Sequence, residues 1–280
     1  MREINCDPIT PTQVVGKIRG VPILLYHDIV ASKSCVRDLS WQTRKYLVTA
    51  ADFQRQLGML RQSLIRVCSL TDVRTHQVGG NSEMVVVISI DDGQQISFIF
   101  AYPALAALGL SCEFLVTTNQ IGRKGYLGWP EIREMHEAGM SFQSHSAVHV
   151  DLRQLGEQDL RTQLKISKQT LEDHLAAPVS FLAAPYGLVS RQVLAMASEV
   201  GYRGVCSTLC WPAQPGANVM GRIAIRWGTN LRTFKRIVEK DWRFYLGTRV
   251  CRAVLSPAEE LGRRFLPGHL GVSYLRSNMP

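Results

Sequence analysis

The sequence contains no stretch of about 18 consecutive apolar residues, the length that a transmembrane helix requires. Residues 1–20, MREINCDPITPTQVVGKIRG, are polar and lack the apolar segment of a secretory signal peptide. These two absences predict a protein that works in the cytoplasm. The chain also lacks internal repeats and low-complexity linkers, and its 46% hydrophobic and 20% charged residues indicate a globular protein with a sizeable core.

The cysteine patterns of disulfide frameworks and zinc-thiolate sites are missing as well. The seven cysteines are odd in number and form no CxxC motif. Cys206 and Cys210 have no further cysteine or histidine close by in the sequence. Free thiols are therefore expected, as in proteins of a reducing compartment.

Positive charge is in excess and unevenly placed. The formal net charge is +9, and residues 231–280 hold ten Lys/Arg against four Asp/Glu. No nucleic-acid-binding motif accompanies this charge, so no nucleic-acid partner is predicted. Segment 231–249 is partly amphipathic, which fits either a terminal helix packed on the core or a surface helix that contacts an anionic membrane. The second interpretation would place the protein peripherally at the inner membrane face.

Strand-like and helix-like segments alternate along the chain. Short apolar runs predict strands, and segments with helical spacing of apolar residues predict the helices between them. This alternation indicates an α/β protein with a parallel sheet, either a barrel or a doubly wound sheet. The predicted strands are 21–29, 84–90, 111–118, 140–145, 179–187 and 202–208, and the helices are 51–62, 101–109, 129–139, 157–175 and 190–201.

Polar residues follow three of these strands, where the ligands of parallel α/β folds gather. Asp91 and Asp92 follow the first, His145 and His149 the second, and the dipeptide 185–186 the third. Taken singly, each pattern has an ordinary explanation, because Asp-Gly and Pro-Tyr-Gly are common turns. Two histidines four residues apart reach one ion if the segment turns helically, and one carboxylate would complete a catalytic metal site.

The pair Asp91–Asp92 raises an electrostatic problem that such an ion would solve. Adjacent buried carboxylates repel each other and are costly to desolvate. Gly93 allows a sharp turn at the strand end. One carboxylate could then bind the cation while the other stays free as a base.

Together these motifs resemble the polysaccharide deacetylase family of carbohydrate esterases. The family's TFDDG motif appears as SIDDG at 89–93, its H-[ST]-x-x-H motif as HSAVH at 145–149, and its third motif as AAPYG at 183–187. LLYHDI at 24–29 resembles the opening strand of the poly-N-acetylglucosamine branch. The resemblance implies a distorted (β/α) barrel of about seven strands over residues 20–230, with an N-terminal extension (1–19) and a basic helical tail (231–280).

The resemblance also implies roles at the site. Asp91 would be the general base, and Asp92, His145 and His149 would bind a divalent metal, most often Zn²⁺. The backbone N–H of Tyr186 would stabilise the oxyanion.

Further residues would bind the substrate. Pro185 and Tyr186 belong to the third motif, and Trp211 could form an apolar wall for the acetyl methyl group. Ordinary packing of Trp211 is an equal alternative.

Two departures from the family pattern concern proton transfer. Ala183 stands where the family usually has an arginine that orients the base. The poly-N-acetylglucosamine branch also commonly lacks an arginine at this position. The late Leu-x-His motif, which supplies the general acid, is missing from GRIAIRW at 221–227. His27 is a candidate catalytic histidine, although a structural role is also open, and Asp28 could orient it or the base.

Three functions remain open from the sequence. The first is a metal-dependent hydrolase that removes N-acetyl groups from N-acetylhexosamine units of a polysaccharide, such as an exopolysaccharide, or of its precursor. The second is a related amidohydrolase on another small N-acyl or C–N substrate. The third is a catalytically impaired glycan-binding homologue, which the intact charge cluster disfavours.

Overall fold

The computed structural model describes residues 18–36, 40, 44–78 and 83–248. Its strands are β1 (Ile23–Tyr26), β2 (Asp28–Val30), β3 (Leu47–Thr49), β4 (Arg66–Val67), β5 (Val85–Asp92), β6 (Glu113–Val116), β7 (Ser141–Ser144), β8 (Phe181–Ala183), β9 (Gly204–Ser207), β10 (Val219–Gly221) and β11 (Ile223–Ala224). Its helices are α1 (Ala50–Gln62), α2 (Leu70–Arg74), α3 (Tyr102–Ala107), α4 (Trp129–Glu137), α5 (Glu157–Leu175), α6 (Arg191–Val200) and α7 (Leu231–Val238).

The main sheet curls into a nearly closed parallel barrel. Its strand order is β10-β9-β8-β7-β6-β5-β1-β11, and every neighbouring pair is parallel. Only Arg222 separates β10 from β11, so one extended stretch pairs with β9 at one edge and with β1 at the other. Counted as one interrupted strand, this stretch makes the barrel seven-stranded. The predicted (β/α) barrel is confirmed, and the doubly wound alternative is wrong because that sheet has two open edges.

Two apolar layers hold the barrel together, and β5 shows how the sequence divides between them. Val86, Ile88 and Ile90 pack in the layer that the strands share with the helices, whereas Val85 and Val87 belong to the cluster inside the barrel. Successive strand residues point to opposite faces. The unbroken apolar run of β5 therefore reflects burial on both sides, as expected of a parallel sheet.

Helix α7 tests the two interpretations of the basic segment 231–249. Phe234, Ile237 and Val238 are buried in the outer apolar layer, so the helix packs on the barrel as the first interpretation expects. Leu231 and Trp242 remain about two-fifths exposed. Membrane contact stays a prediction, as does the division into three domains, because residues 1–17 and 249–280 lie outside the described residues.

Two expectations about composition can be compared with the described part of the chain. Its cysteines, Cys35, Cys68, Cys112, Cys206 and Cys210, are all free thiols. No helix in residues 18–36, 44–78 or 83–248 combines the length and the apolar composition that crossing a membrane requires.

Glu113 is a buried carboxyl group at the start of β6, and it gives a stability prediction. Its Oε1 accepts a hydrogen bond from the Leu70 N–H at 2.8 Å, whereas Oε2 has no partner. Burial raises the pKa of Glu113 above its ordinary value. Its contribution to stability is therefore fully present below the unfolded pKa of about 4.3 and is lost as the pH rises through the folded pKa.

The Glu113→Gln variant is accordingly expected to be more stable than wild type in alkaline solution, because glutamine has no charge to desolvate. We expect a rise in melting temperature of about 2–4 °C at pH 8 and a smaller change at pH 5, measured by thermal unfolding at both values. Glu134→Gln, on the exposed face of α4, is the matched control. A Glu113→Gln variant that is less stable at pH 8 than at pH 5, relative to wild type, would contradict this account.

Candidate active site

The end of β5 separates the two neighbouring aspartates. Asp91 is buried, while Asp92 adopts the left-handed backbone conformation (φ 72°), followed by Gly93 (φ 76°). A Cβ atom on Gly93 would come within 2.9 Å of the Val116 side chain, so only glycine fits this turn. Two successive left-handed residues turn the chain sharply at the mouth of the barrel, and the two carboxylates acquire different partners.

His145 and His149 converge through a bend rather than a helix. A helical turn is one way to bring histidines at this spacing together, but residues 145–149 contain no helical turn. Ser146 is in the left-handed conformation (φ 62°), and its hydroxyl donates to the Val148 carbonyl at 2.6 Å. The bend places the two imidazole ring centroids 4.9 Å apart.

Asp92, His145 and His149 form a cluster that can hold a metal ion. Asp92 Oδ1 lies 3.5 Å from His145 Nε2 and 3.6 Å from His149 Nε2, and all three ligand atoms lie within 4.8 Å of one another. Tetrahedral zinc with ligands at about 2.0–2.2 Å separates neighbouring ligand atoms by about 3.3–3.6 Å. The two distances to Asp92 fit this geometry.

The hydrogen bonding of His145 supports the same conclusion. Its Nδ1 lies 2.8 Å from the carbonyl oxygen of Ala183. A carbonyl can only accept, so Nδ1 carries the proton and the lone pair of Nε2 faces the cluster. Backbone support of this kind is usual for a metal-binding histidine.

The electrostatics of the cluster favour a cation. Burial tends to raise the pKa of Asp92, yet the neighbouring imidazoles outweigh it and hold that pKa below the usual range. Burial tends to lower the pKa of His145, but the charges of Asp91 and Asp92 raise it overall. The site therefore binds positive charge between its carboxylates and imidazoles, whether carried by protons or by a metal ion.

Asp91 is held by a buried arginine. Arg222 Nη1 and Nη2 donate to the two carboxylate oxygens of Asp91 at 2.6 and 2.7 Å. The Arg222 side chain is 0% exposed and that of Asp91 is 3% exposed. Burial tends to raise the pKa of Asp91, but the charge of Arg222 outweighs it and leaves the pKa lowered. Asp91 thus stays ionised, oriented and separate from the triad, with His145 Nε2 at 3.9 Å from its Oδ2.

Arg222 is the functional residue that sequence reasoning missed. Ala183 left the proposed base, Asp91, without the arginine that the family usually has there, and an arginine from between β10 and β11 binds Asp91 instead. The sequence contains one signal of this role, an arginine within the apolar run VMGRIAI. If that run is a buried strand, its arginine must pair with an acid. Which acid it meets depends on the closure of the barrel.

Tyr186 and Pro185 lie beside the triad. Tyr186 adopts a left-handed conformation (φ 61°), and its ring packs edge-on against the His149 ring at 4.7 Å. Its hydroxyl donates to the His149 carbonyl at 3.5 Å, a long contact. Gly187 is also left-handed (φ 70°), and a Cβ atom there would overlap Thr208, so only glycine fits. The third motif is therefore a strained turn against the metal cluster, as expected of a functional loop.

His27 and Asp28 follow β1 at the same mouth. The ring of His27 lies 5.0 Å from that of Tyr46. Burial lowers the pKa of His27, against the opposing influence of Asp92 and Asp91. Burial, followed by the charge of Asp92, raises the pKa of Asp28 to about 7. Both side chains therefore lie within electrostatic reach of Asp92. Catalysis by His27 and the orienting role of Asp28 stay predictions.

Trp211 packs elsewhere. Its ring contacts that of the buried Tyr245 at 5.7 Å, and both belong to the outer apolar layer. This is the packing alternative, and substrate binding by Trp211 stays a prediction.

Comparison with known proteins relates these features to a family. Residues 79–205 match the sequence profile described as "Polysaccharide deacetylase". YxkH of Bacillus subtilis, named after the same family, is 25% identical over 199 residues, which are 70% of this chain. The match covers 66% of YxkH, just under two thirds of that protein.

Two solved structures share the fold. Streptococcus pyogenes deacetylase PplD in complex with acetate superposes with a TM-score of 0.72 at 24% identity, over 79% of this chain and 99% of that one. IcaB from Ammonifex degensii gives 0.66 at 21% identity, over 80% and 96%. The profile match spans Asp91 and the triad, so residues 79–205 are similar to the polysaccharide deacetylase family, and the solved structures share the barrel fold.

Proposed function

We propose that this chain is a metal-dependent N-deacetylase acting on N-acetylhexosamine units of a polysaccharide or its precursor. The observation that carries the proposal is the division of labour at the end of β5. Asp92 faces two histidines, while its neighbour Asp91 is bound to an arginine and remains ionised. A metal cluster beside an independent carboxylate base suits the metal-assisted hydrolysis of an amide.

Asp92, His145 and His149 would hold the ion, and Zn²⁺ suits this mixed nitrogen and oxygen set. The ion would polarise the amide carbonyl and lower the pKa of a water molecule. Asp91 would accept the proton of that water, since its lowered pKa keeps it ionised at neutral pH. Arg222 would keep the carboxylate oriented throughout.

Two further residues complete the proposal. The backbone N–H of Tyr186 would donate to the oxyanion, and Pro185 would help to shape the turn that presents it. His27 is the candidate for carrying the proton onward to the leaving amine, because it follows β1 at the same mouth and lies within electrostatic reach of Asp91 and Asp92. The products are acetate and a free amine on the sugar.

The substrate class rests on similarity. The family is named for polysaccharide deacetylation, and PplD was solved with acetate, the product expected of such a reaction. No contact in the described residues favours a non-sugar amide. The glycan-binding alternative would retain an electrostatically costly cluster without a use for it.

The test combines metal binding with acetate release. Metal-stripped protein should bind one Zn²⁺ by calorimetry and, once loaded, release acetate from N-acetylglucosamine oligomers. Asp92→Asn should weaken zinc binding by about 10-fold or more and lower activity with it. Asp173→Asn, on the exposed face of α5, is the matched control. Zinc binding without acetate release would disfavour the N-deacetylase, and failure to bind any divalent metal would exclude both hydrolytic functions.

A further inference from the structure

Two basic clefts lie at the mouth of the barrel. The first, here the β1 cleft, has a volume of about 170 Å³ and is lined by Lys33, Arg226, Thr49 and Trp227 among others. The second, here the β6 cleft, has a volume of about 460 Å³, and its lining includes Arg123, Lys124 and Tyr126. In the strand order β6-β5-β1-β11 they lie on either side of β5, which carries Asp91 and Asp92.

The β6 cleft is attached directly to the metal cluster. The carbonyl of Gly93, next to Asp92, accepts a hydrogen bond from the Leu127 N–H at 2.9 Å. The Gln95 N–H donates to the Gly125 carbonyl at 3.1 Å. The loop that carries Arg123 and Lys124 is thus pinned to the turn that positions Asp92.

The β1 cleft reaches the site from the other side. Its wall includes Leu47–Thr49, which pairs with β2 directly after His27. The Trp227 N–H donates to the Lys45 carbonyl at 3.2 Å, and neighbouring Tyr46 contacts the His27 ring. The wall of this cleft is therefore joined to the segment that contacts His27.

The acidic side chain in each cleft already accepts hydrogen bonds from neighbouring groups of the protein. Asp52 accepts from the Thr49 hydroxyl at 2.7 Å and pairs with Arg55. Glu131 accepts from the Gly128 N–H at 2.7 Å and from Gln95 Nε2 at 3.0 Å.

The four cations differ from these acids. Lys33, Arg226, Arg123 and Lys124 are exposed, and none forms an ion pair within the part of the chain that the structure describes. Each cleft therefore offers two exposed cations against a single acid, Asp52 in the β1 cleft and Glu131 in the β6 cleft, and is net positive.

We infer that the substrate is an anionic glycan, with carboxylate or phosphate groups on the sugars that flank the N-acetylated unit, and that the two clefts bind those groups. The inference rests on the proposed deacetylase function. A neutral glycan would gain nothing from paired cations on both sides of the reacting unit. Charges in partly enclosed clefts focus the field on an approaching anion and bind it more strongly than isolated surface charges do.

The test uses zinc-loaded protein and three oligomers of matched length. One is neutral N-acetylglucosamine, one alternates it with glucuronate, and one carries phosphate on alternate units. We expect kcat/KM to be about tenfold higher for at least one anionic oligomer, mainly through KM, with the preference falling as salt is raised toward about 0.5 M. Comparison of the carboxylate and phosphate oligomers identifies the anion.

The variants address the clefts separately. The preference should fall several-fold in Lys33→Gln/Arg226→Gln and in Arg123→Gln/Lys124→Gln. It should persist in Arg61→Gln/Lys165→Gln, a matched pair of exposed cations on α1 and α5. Equal rates on charged and neutral oligomers would overturn the inference, as would an equal loss in the control pair.

Calorimetry separates this inference from the proposed function. If no oligomer releases acetate, the deacetylase proposal fails. Tighter binding of an anionic oligomer, lost in the cleft variants, would still support the binding of anionic groups in the two clefts. Binding of neutral and anionic oligomers with equal affinity would overturn it independently of catalysis. Tighter binding of single-stranded DNA, lost in the same variants, would show that the clefts bind a nucleic acid rather than a glycan.

Discussion

Asp91→Asn is expected to lower the kcat of acetate release by about 10²–10⁴-fold while the protein still binds zinc. Asparagine has nearly the same shape as aspartate but cannot accept the proton of the attacking water. The proposed metal ligands are other residues, Asp92, His145 and His149, so the affinity for zinc should change little. Acetate release and zinc calorimetry on the same preparation measure both properties.

Two controls separate catalysis from folding. Asn at position 91 leaves Arg222 buried without its anion, so a thermal unfolding curve must show that the variant is folded at the assay temperature. Asp92→Asn, in which the neighbouring carboxylate is changed in the same way, should lose zinc and activity together. An Asp91→Asn variant that retains most of its activity would show that another residue is the base.

Arg222→Met is expected to destabilise the protein by about 3–5 kcal/mol at neutral pH, because it leaves the Asp91 carboxylate buried without a partner. Arg222 holds the pKa of Asp91 low, so the pair's contribution is present above the unfolded pKa of about 3.9 and is lost as the pH falls through the folded pKa. The stability difference from wild type should therefore be largest at neutral pH and shrink in acid. Denaturant unfolding across a pH series measures it.

Activity should respond to the same change. Without Arg222 the pKa of Asp91 rises, and the acid limb of the pH–rate profile moves to higher pH. Arg222→Lys, which keeps the charge but cannot donate in the bidentate manner, should lie between wild type and Arg222→Met.

The double variant Asp91→Asn/Arg222→Met is the sharpest control for this pair. It removes both buried charges, so it should be more stable than the sum of the two single changes predicts. Strict additivity would contradict a direct Asp91–Arg222 ion pair.

Local sequence was sufficient for much of the fold and for the grouping of the polar residues. The unbroken run of β5 predicted a strand buried on both faces, and one aspartate of the DDG stretch was expected beside His145 and His149 because parallel strands end at one edge. The resemblance to the family, rather than the strand pattern, pointed to Asp92 as that aspartate. The two histidines meet through a left-handed bend at Ser146 rather than through a helical turn, and histidine spacing does not reveal that bend.

The partner of the base could not be predicted in the same way. Arg222 and Asp91 are 131 residues apart, and their contact exists only because β10 and β11 close the barrel beside β1. The basic clefts likewise join segments that are distant along the chain, such as Lys33 and Arg226.

By itself, the sequence determined which residues could carry the chemistry, because period-two burial, glycine turns and ligand types are local properties of the chain. The tertiary structure alone decided which partners the two carboxylates of the DDG motif acquire. That division depends on which distant charges share a low-dielectric interior, Arg222 with Asp91 and the imidazoles with Asp92, and electrostatic pairing acts through space rather than along the sequence.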